Sequence, residues 1–337
     1  MKYIEIGNTG VIFSEIIQGL WQAGGGHFGV PDDNASTEAI HACMEVGINT
    51  FDTAVRYGGG HSEDVLGQAL VGYNRDDYVL IAKAWPTHYS KTGMEEGINT
   101  SLKLMKTDYL DCYFLHYPTY WNTDNPVTLK EAMENINDLK KRGIIRSIGV
   151  SNFSLDELKQ AQTYGDIDVI QPGYNMLWRY IDRDILPYCI ETNMPIISYS
   201  CLAQGLLTGT HLRDKKVPDN RSNTVMFLPD RYDKCLDFTD FLRPIAARYN
   251  ATVPQLVISW MLDVPGITAP LVGSSNREQV LENVKAVDLK LSKEDYDLID
   301  SESKKFCAGV SEYELNFNLK ANCLSEARKE FELSLQG

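Results

Sequence analysis

What this 337-residue chain lacks narrows its function before any motif is considered. Basic side chains are outnumbered, 32 Lys and Arg against 46 Asp and Glu, leaving a formal net charge of −14. Nucleic-acid binding draws on clustered Lys and Arg, so neither nucleic acid nor an anionic membrane is an expected partner. An acidic whole still allows a locally basic pocket for an anionic ligand. No apolar run approaches the length of a membrane span, and the opening MKYIEIGNTG has no signal-peptide core, so a cytoplasmic location is expected. Seven cysteines, at 43, 112, 189, 201, 235, 307 and 323, include no CxxC pair. Odd in number and scattered, they read as reduced thiols, with no disulfide framework and no metal site.

What is present is an alternation of short β-branched runs and longer amphipathic stretches. Strands are predicted at 15–20, 48–51, 78–82, 109–115, 144–150, 167–171, 195–199 and 267–272. Helical patterns fill 35–46, 62–72, 92–106, 127–142, 154–164, 182–193, a long stretch across 235–262, and 276–286. Ser154 with Glu157 three residues on makes a capping box. Eight mostly apolar strands separated by helices predict a parallel sheet buried on both faces, and eight is the count that closes a (β/α)₈ barrel. Residues 3–6 and 11–13 flank Gly7-Asn8-Thr9-Gly10 and read as a β-hairpin ahead of the barrel. The Gly- and Pro-punctuated 200–232 segment reads as a mobile loop, and 304–337 as a C-terminal tail, helical after 312. With no linker in view, 1–337 is expected to form a single domain.

Gly24-Gly25-Gly26-His27-Phe28-Gly29 satisfies GxGxxG, and Asp52 closes the next strand candidate, which together suggest a Rossmann unit. In that fold the last glycine opens a helix whose N-terminus faces the pyrophosphate. Here residues 30–34 intervene, so the motif is read as a loop.

Four chemistry-bearing residues share one topological address. Asp52 follows strand 48–51 with Tyr57 in the loop beyond; Lys83 ends strand 78–82 and His116 ends strand 109–115. In a (β/α)₈ barrel these strand ends converge on the face where active sites form. A nearby ammonium is expected to lower the tyrosine pKa from near 10, with Asp52 orienting the lysine and His116 positioning a carbonyl. None of the four can supply a hydride, so the set calls for a nicotinamide cofactor. Singly, each has a structural explanation: a cap for Asp52, a solvated strand end for Lys83, a hydrogen-bonded core histidine for His116, a surface ring for Tyr57.

The stretch from Gly47 through Asp52-Thr-Ala-Val-Arg-Tyr57, followed by Ser62-Glu63 and Leu66-Gly67, resembles the first signature of the aldo-keto reductase family, and the likeness runs from about residue 3 to about 300. The resemblance implies that Asp52, Tyr57, Lys83 and His116 form a catalytic tetrad with Tyr57 as general acid. It implies a grip on the nicotinamide amide by Ser151, Asn152 and Gln171, and stacking by Tyr199. Ser200, Leu202, Gln204, Gly205 and Leu207 would wrap the pyrophosphate; Gly273, Ser274, Ser275, Gln279, Glu282 and Asn283 would hold the adenosine. Trp21 would border both cofactor and substrate, the latter against Trp85, His116, Tyr117, Tyr120 and Trp121, an aromatic lining suited to an apolar or sugar-ring carbonyl compound. The Gly24–Gly29 segment becomes a flexible lip.

Two departures from the family stand out. Cys201 occupies a position commonly proline, raising a redox thiol as an alternative. Gly273 and Ser275 stand where many relatives have Lys or Arg, leaving Arg277 as the nearest cation for a 2′-phosphate; NADP is the expected cofactor and NAD the alternative. Two competing readings are a slow nicotinamide-binding sensor, similar to potassium-channel β subunits of this fold, and a Schiff-base enzyme using Lys83. The start of the chain close to the hairpin favours the free enzyme. Substrate identity and oligomeric state stay open.

Overall fold

The computed structural model describes residues 1–215 and 217–308. It begins with an antiparallel hairpin, β1 (Tyr3–Glu5) and β2 (Ile12–Ser14), turned by Gly7 and Gly10 at φ +57° and +70°, backbone angles that favour glycine. Eight parallel strands follow. They are β3 (Ile17–Gly19), β4 (Thr50–Asp52), β5 (Val79–Ala84), β6 (Leu110–Leu115), β7 (Ile145–Ser151), β8 (Val169–Gln171), β9 (Ile197–Ser198) and β10 (Ala269–Val272). Their order, β8-β7-β6-β5-β4-β3-β10-β9, closes into a barrel because the parallel bridges Ile170–Ile196 and Gly173–Tyr199 join its ends.

The intervening helices are α1 (Asp33–Glu45), α2 (His61–Ala69), α3 (Lys91–Leu104), α4 (Leu129–Lys141), α5 (Leu155–Gln162), α6 (Ile185–Thr192), α7 (Pro229–Arg248), α8 (Val253–Asp263), α9 (Arg277–Asn283) and α10 (Lys293–Ala308). The capping box of α5 is present, Ser154 and Glu157 each satisfying the other's backbone N–H. Thr128 caps α4. The predicted 235–262 helix is two: Asn250 at φ +52° ends the first, and the Thr252–Gln255 capping box starts the second. α1 begins at Asp33 under an Asp32 cap, earlier than the loop reading of 30–34 allowed, yet Pro31 and Asp32 still separate it from Gly29 and the fold is a barrel. Helix α10 went unpredicted as an element, and the helical stretch expected after 312 lies outside the described residues.

Strand periodicity positions the site. Alternate residues of a strand point to one face, and the interior layer holds Ile17, Val79, Ile81, Cys112, Phe114, Val169, Ile197, Ala269 and Leu271. The hairpin closes the N-terminal mouth with Ile6, Val11 and Phe13, each at most 1% exposed. Gly149 lets Phe114 fill the interior, since a Cβ there would lie 2.2 Å from its ring. Continuing the same parity to the opposite mouth puts Asp52, Lys83, His116, Gln171, Tyr199 and Gly273 on the inner face. The larger apolar cluster lies between strands and helices.

Candidate active site

Lys83 is completely buried, and its ammonium donates 2.6 Å to Asp52 Oδ1, 2.9 Å to the Thr53 carbonyl and 3.4 Å to the Tyr57 hydroxyl. Asp52 Oδ2 accepts from Gln171 Nε2 at 2.7 Å, so both carboxylate oxygens are committed. Tyr57 sits on the 3₁₀ turn Tyr57–Gly60, seated against the lip: a Cβ on Gly24 would lie 2.6 Å from the Tyr57 carbonyl carbon. Its ring lies 6.0 Å from that of Trp21 and 5.9 Å, edge on, from that of His116. The tetrad expected from strand ends is thus brought together, with Lys83 within β5 instead of at its end.

Burial sets the protonation states. It pulls the Lys83 ammonium down and pushes the Asp52 carboxyl up, each opposed by the other's charge. The Tyr57 phenol is raised well above 10, by burial first and then by Asp52. This reverses the expected lowering: burial outweighs the ammonium, which lies 2.6 Å from Asp52 and 3.4 Å from the phenol. His116 is driven well below 6.5 by burial and by the cations of Lys83 and Arg56, so its ring is neutral at neutral pH. Its buried Nδ1 has no partner. A protonated phenol beside a neutral imidazole can give a proton to an oxygen that the imidazole holds.

Around this corner opens a cavity of about 1460 Å³. Trp21, Trp85, His116, Tyr117, Tyr120 and Trp121 line it, as do Ser151, Asn152, Gln171, Tyr199, Ser200, Leu202, Gln204, Gly205, Gly273, Ser275 and Gln279. Ser151 Oγ donates to the Gln171 carbonyl at 2.7 Å, Asn152 Nδ2 to the His116 carbonyl at 2.9 Å, and Tyr199 to Asn152 Oδ1 at 2.7 Å. Four residues assigned by resemblance lie off the wall: Leu207, Ser274, Glu282 and Asn283. Leu207 is fully buried behind its 3₁₀ turn; Asn283 is buried and donates to Ser274 Oγ at 3.1 Å; Glu282 offers its carbonyl to Gln255. Leu207, Ser274 and Asn283 are buried, whereas Glu282 is partly exposed on α9.

The predicted loop 200–232 folds into 3₁₀ turns at Ala203–Thr208, Asn220–Asn223 and Val225–Phe227. It reaches across to the lip: His27 Nε2 meets Gln204 Oε1 at 3.0 Å, Asn220 donates to the Gly26 carbonyl, and Arg221 binds the Gln204 carbonyl. The lip is packed in turn, with His27 stacked on Trp21 at 4.4 Å. Cys201 is fully buried and burial pushes its thiol up, which removes the nucleophilic thiolate a redox role needs. Arg277 pairs through both terminal nitrogens with Glu45 of α1. Gln22, Arg56 and Arg221 also line the cavity and were not anticipated from the sequence. Only Arg56 left a signal, standing in the motif beside Tyr57.

The aldo/keto reductase family model matches residues 15–304. The chain belongs to this family. Among its relatives, the NADH-specific methylglyoxal reductase of Escherichia coli K12 is 33% identical over 89% of this chain and 97% of its own. A glycerol dehydrogenase from Gluconobacter oxydans superposes with a TM-score of 0.79 at 27% identity, covering 92% of this chain and 96% of that one. A Klebsiella pneumoniae aldo-keto reductase solved with NADPH gives a TM-score of 0.72 at 25% identity, covering 95% and 100%. The family's chemistry is that of oxidoreductases acting on small carbonyl compounds. Among the described residues, no helix is long and apolar enough to cross a membrane.

Proposed function

We propose that the chain is a nicotinamide-dependent carbonyl reductase that reduces an aldehyde or ketone. The observation that carries this reading is one corner of one cavity: the Tyr57 hydroxyl 3.4 Å from an ammonium buried against Asp52, beside a neutral His116. The cavity exceeds the roughly 300–1,000 Å³ of an ordinary small-molecule pocket, as a site for both a dinucleotide and a carbonyl compound must. The fit extends to the wall. Ser200, Ala203, Gln204 and Gly205 all have positive φ, bringing a tight backbone turn to the cavity where a pyrophosphate would lie.

In this reading, Ser151, Asn152 and Gln171 would hold the nicotinamide amide, Tyr199 its ring, and Ser275 and Gln279 the adenosine. The bound cofactor supplies the hydride. Tyr57 gives its proton to the carbonyl oxygen, and the Lys83 ammonium hydrogen-bonds the phenolate that remains. Asp52 and Gln171 fix Lys83 in register. His116 orients the carbonyl oxygen, and the surrounding rings keep water from the reacting carbon. NADP(H) and NAD(H) both suit the site, the first from the solved NADPH complex and the second from the NADH-specific relative. With Arg277 held by Glu45, selection between them is expected to be weak.

The test is oxidation of NADH and of NADPH, followed at the reduced-nicotinamide absorbance, against aldehydes, ketones and sugars. Turnover supports the reductase. Tight cofactor binding with no turnover on any of them would favour the sensor reading.

A further inference from the structure

The tetrad and the cofactor grip leave one cation of the cavity wall without a task. Arg56 lines the cavity between the proton donor and the aromatic rim. Its guanidinium lies 5.2 Å from the centre of the Trp85 ring, which itself meets the His116 ring edge to face at 5.3 Å. The other charged groups of the wall are mostly spoken for. Asp52 is bound to Lys83, and Arg221 to Asp219 at 2.7 Å. Asp124 stands on the exposed 122–126 rim. Among the described residues Arg56 forms no ion pair; its contact is the Trp85 face.

A guanidinium with no carboxylate partner keeps its N–H groups for a planar oxyanion, and that fork geometry is what selects arginine at carboxylate and phosphate sites. The Arg56 cation lies 5.2 Å from the Trp85 ring and that ring 5.3 Å from His116, so an anion held by Arg56 and a carbonyl oxygen held by His116 would be joined by a short spacer. Arg56 is exposed and lines the cavity, so its N–H groups are open to an anionic group entering from solvent.

We propose that Arg56 is a specificity-determining residue that selects carbonyl substrates carrying an anionic group, a carboxylate or phosphate separated from the carbonyl by a short chain. The proposal rests on the reductase reading and names its substrate class. It differs from the apolar or sugar-ring substrate that the aromatic lining alone suggests: the rings enclose the spacer and Arg56 takes the charged end. Depression of the His116 pKa by Arg56 is a second sign that this cation's field reaches the reacting oxygen.

The test compares kcat/KM for matched aldehydes in the intact protein: butanal, succinic semialdehyde as the carboxylate arm, and glyceraldehyde 3-phosphate against glyceraldehyde as the phosphate arm. Wild type should prefer at least one anionic member of a pair. In Arg56→Gln that preference should fall roughly tenfold to a hundredfold, the scale of one charge-assisted hydrogen-bonded contact. Arg56→Lys should restore part of it, and high salt should erode it in wild type. The arm that responds identifies the anion. A structural defect would lower both members of a pair together and leave the ratio intact, which overturns the proposal. Wild-type turnover of the neutral aldehydes with no anionic preference also overturns it while the reductase reading stands. No turnover of any aldehyde removes both.

Discussion

The two ends of the cavity are built on opposite plans. At the Tyr57 end, charge is buried and every oxygen of Asp52 is committed: Lys83 on one, Gln171 on the other. At the Gly273–Asn283 end the equivalent charge lies outside, where Arg277 and Glu45 form an ion pair with side chains 37% and 52% exposed. Buried pairs are expensive to break, because removal of one partner strands the other in a low dielectric. Exposed pairs carry little energy and are screened by salt. In the proposed reading, chemistry would be held rigidly at one end, while cofactor discrimination at the other would be open to single surface substitutions.

The sharpest way to separate the ends is Tyr57→Phe. It removes the proposed proton donor and leaves the proposed adenosine end untouched, so kcat should fall about 10²- to 10⁴-fold with dinucleotide affinity retained. Fluorescence titration of the variant with NADPH and NADH checks the second half. Loss of binding together with turnover would mean that the two ends are not independent.

Next in size is stability. Lys83→Ala leaves the Asp52 carboxylate buried without its counter-ion and should destabilise the fold by about 3–5 kcal/mol in urea unfolding. Lys83→Met combined with Asp52→Asn leaves no lone charge at this pair and should recover much of that loss. If single and double variants unfold alike, the pair is not the keystone its burial implies.

A third charge sits behind Lys83. Glu63 on α2 is fully buried; Ser101 donates 2.8 Å to its Oε1, and its Oε2 has no partner. Burial raises its carboxyl from 4.5 to about 7, against the pull of Ser101 and Lys83. A folded pKa above the unfolded one gives stability that is complete below pH 4.5 and lost as the pH rises through about 7. The loss amounts to about 3 kcal/mol. Glu63→Gln keeps the shape without the titration, so its stability relative to wild type should improve by that order on going from acid to alkaline pH. Parallel pH dependences of the two proteins would show that Glu63 is not the titrating group.

The contrast between the ends also governs what could be read from the sequence. Asp52 and Tyr57 lie within one short motif, and strand parity carries Lys83 and His116 to the same mouth, so the tetrad was legible as a local pattern repeated over successive strands. The protonation of Tyr57 was not, since it depends on how deeply the phenol is buried and on its approach to Asp52. Leu207, Glu282 and Asn283 were placed by family position, but whether such a residue faces the cavity depends on how its turn or short helix is rotated. The division of 235–262 hinged on Asn250 adopting a left-handed conformation, which its composition permits but does not announce. The Glu45–Arg277 pair joins residues 232 apart, and nothing local to either predicts it.

That pair supplies the smallest expected effect and the most direct probe of the exposed end. Arg277 is the cation the sequence offers for a 2′-phosphate, and Glu45 occupies its donors. Glu38 and Glu278 add further negative charge nearby. A 2′-phosphate must displace Glu45 and approach this acidic surround, whereas the 2′-hydroxyl of NAD need not. Glu45→Gln frees the guanidinium and removes one repelling charge, so the NADPH-to-NADH ratio of kcat/KM should rise about two- to fivefold, the range of an exposed ion pair. The gain should shrink at high salt. Arg277→Ala in the same background should abolish it; a ratio that rises regardless of Arg277 would assign the effect to long-range repulsion, and a ratio that does not move would place the 2′-phosphate beyond the reach of α1 altogether.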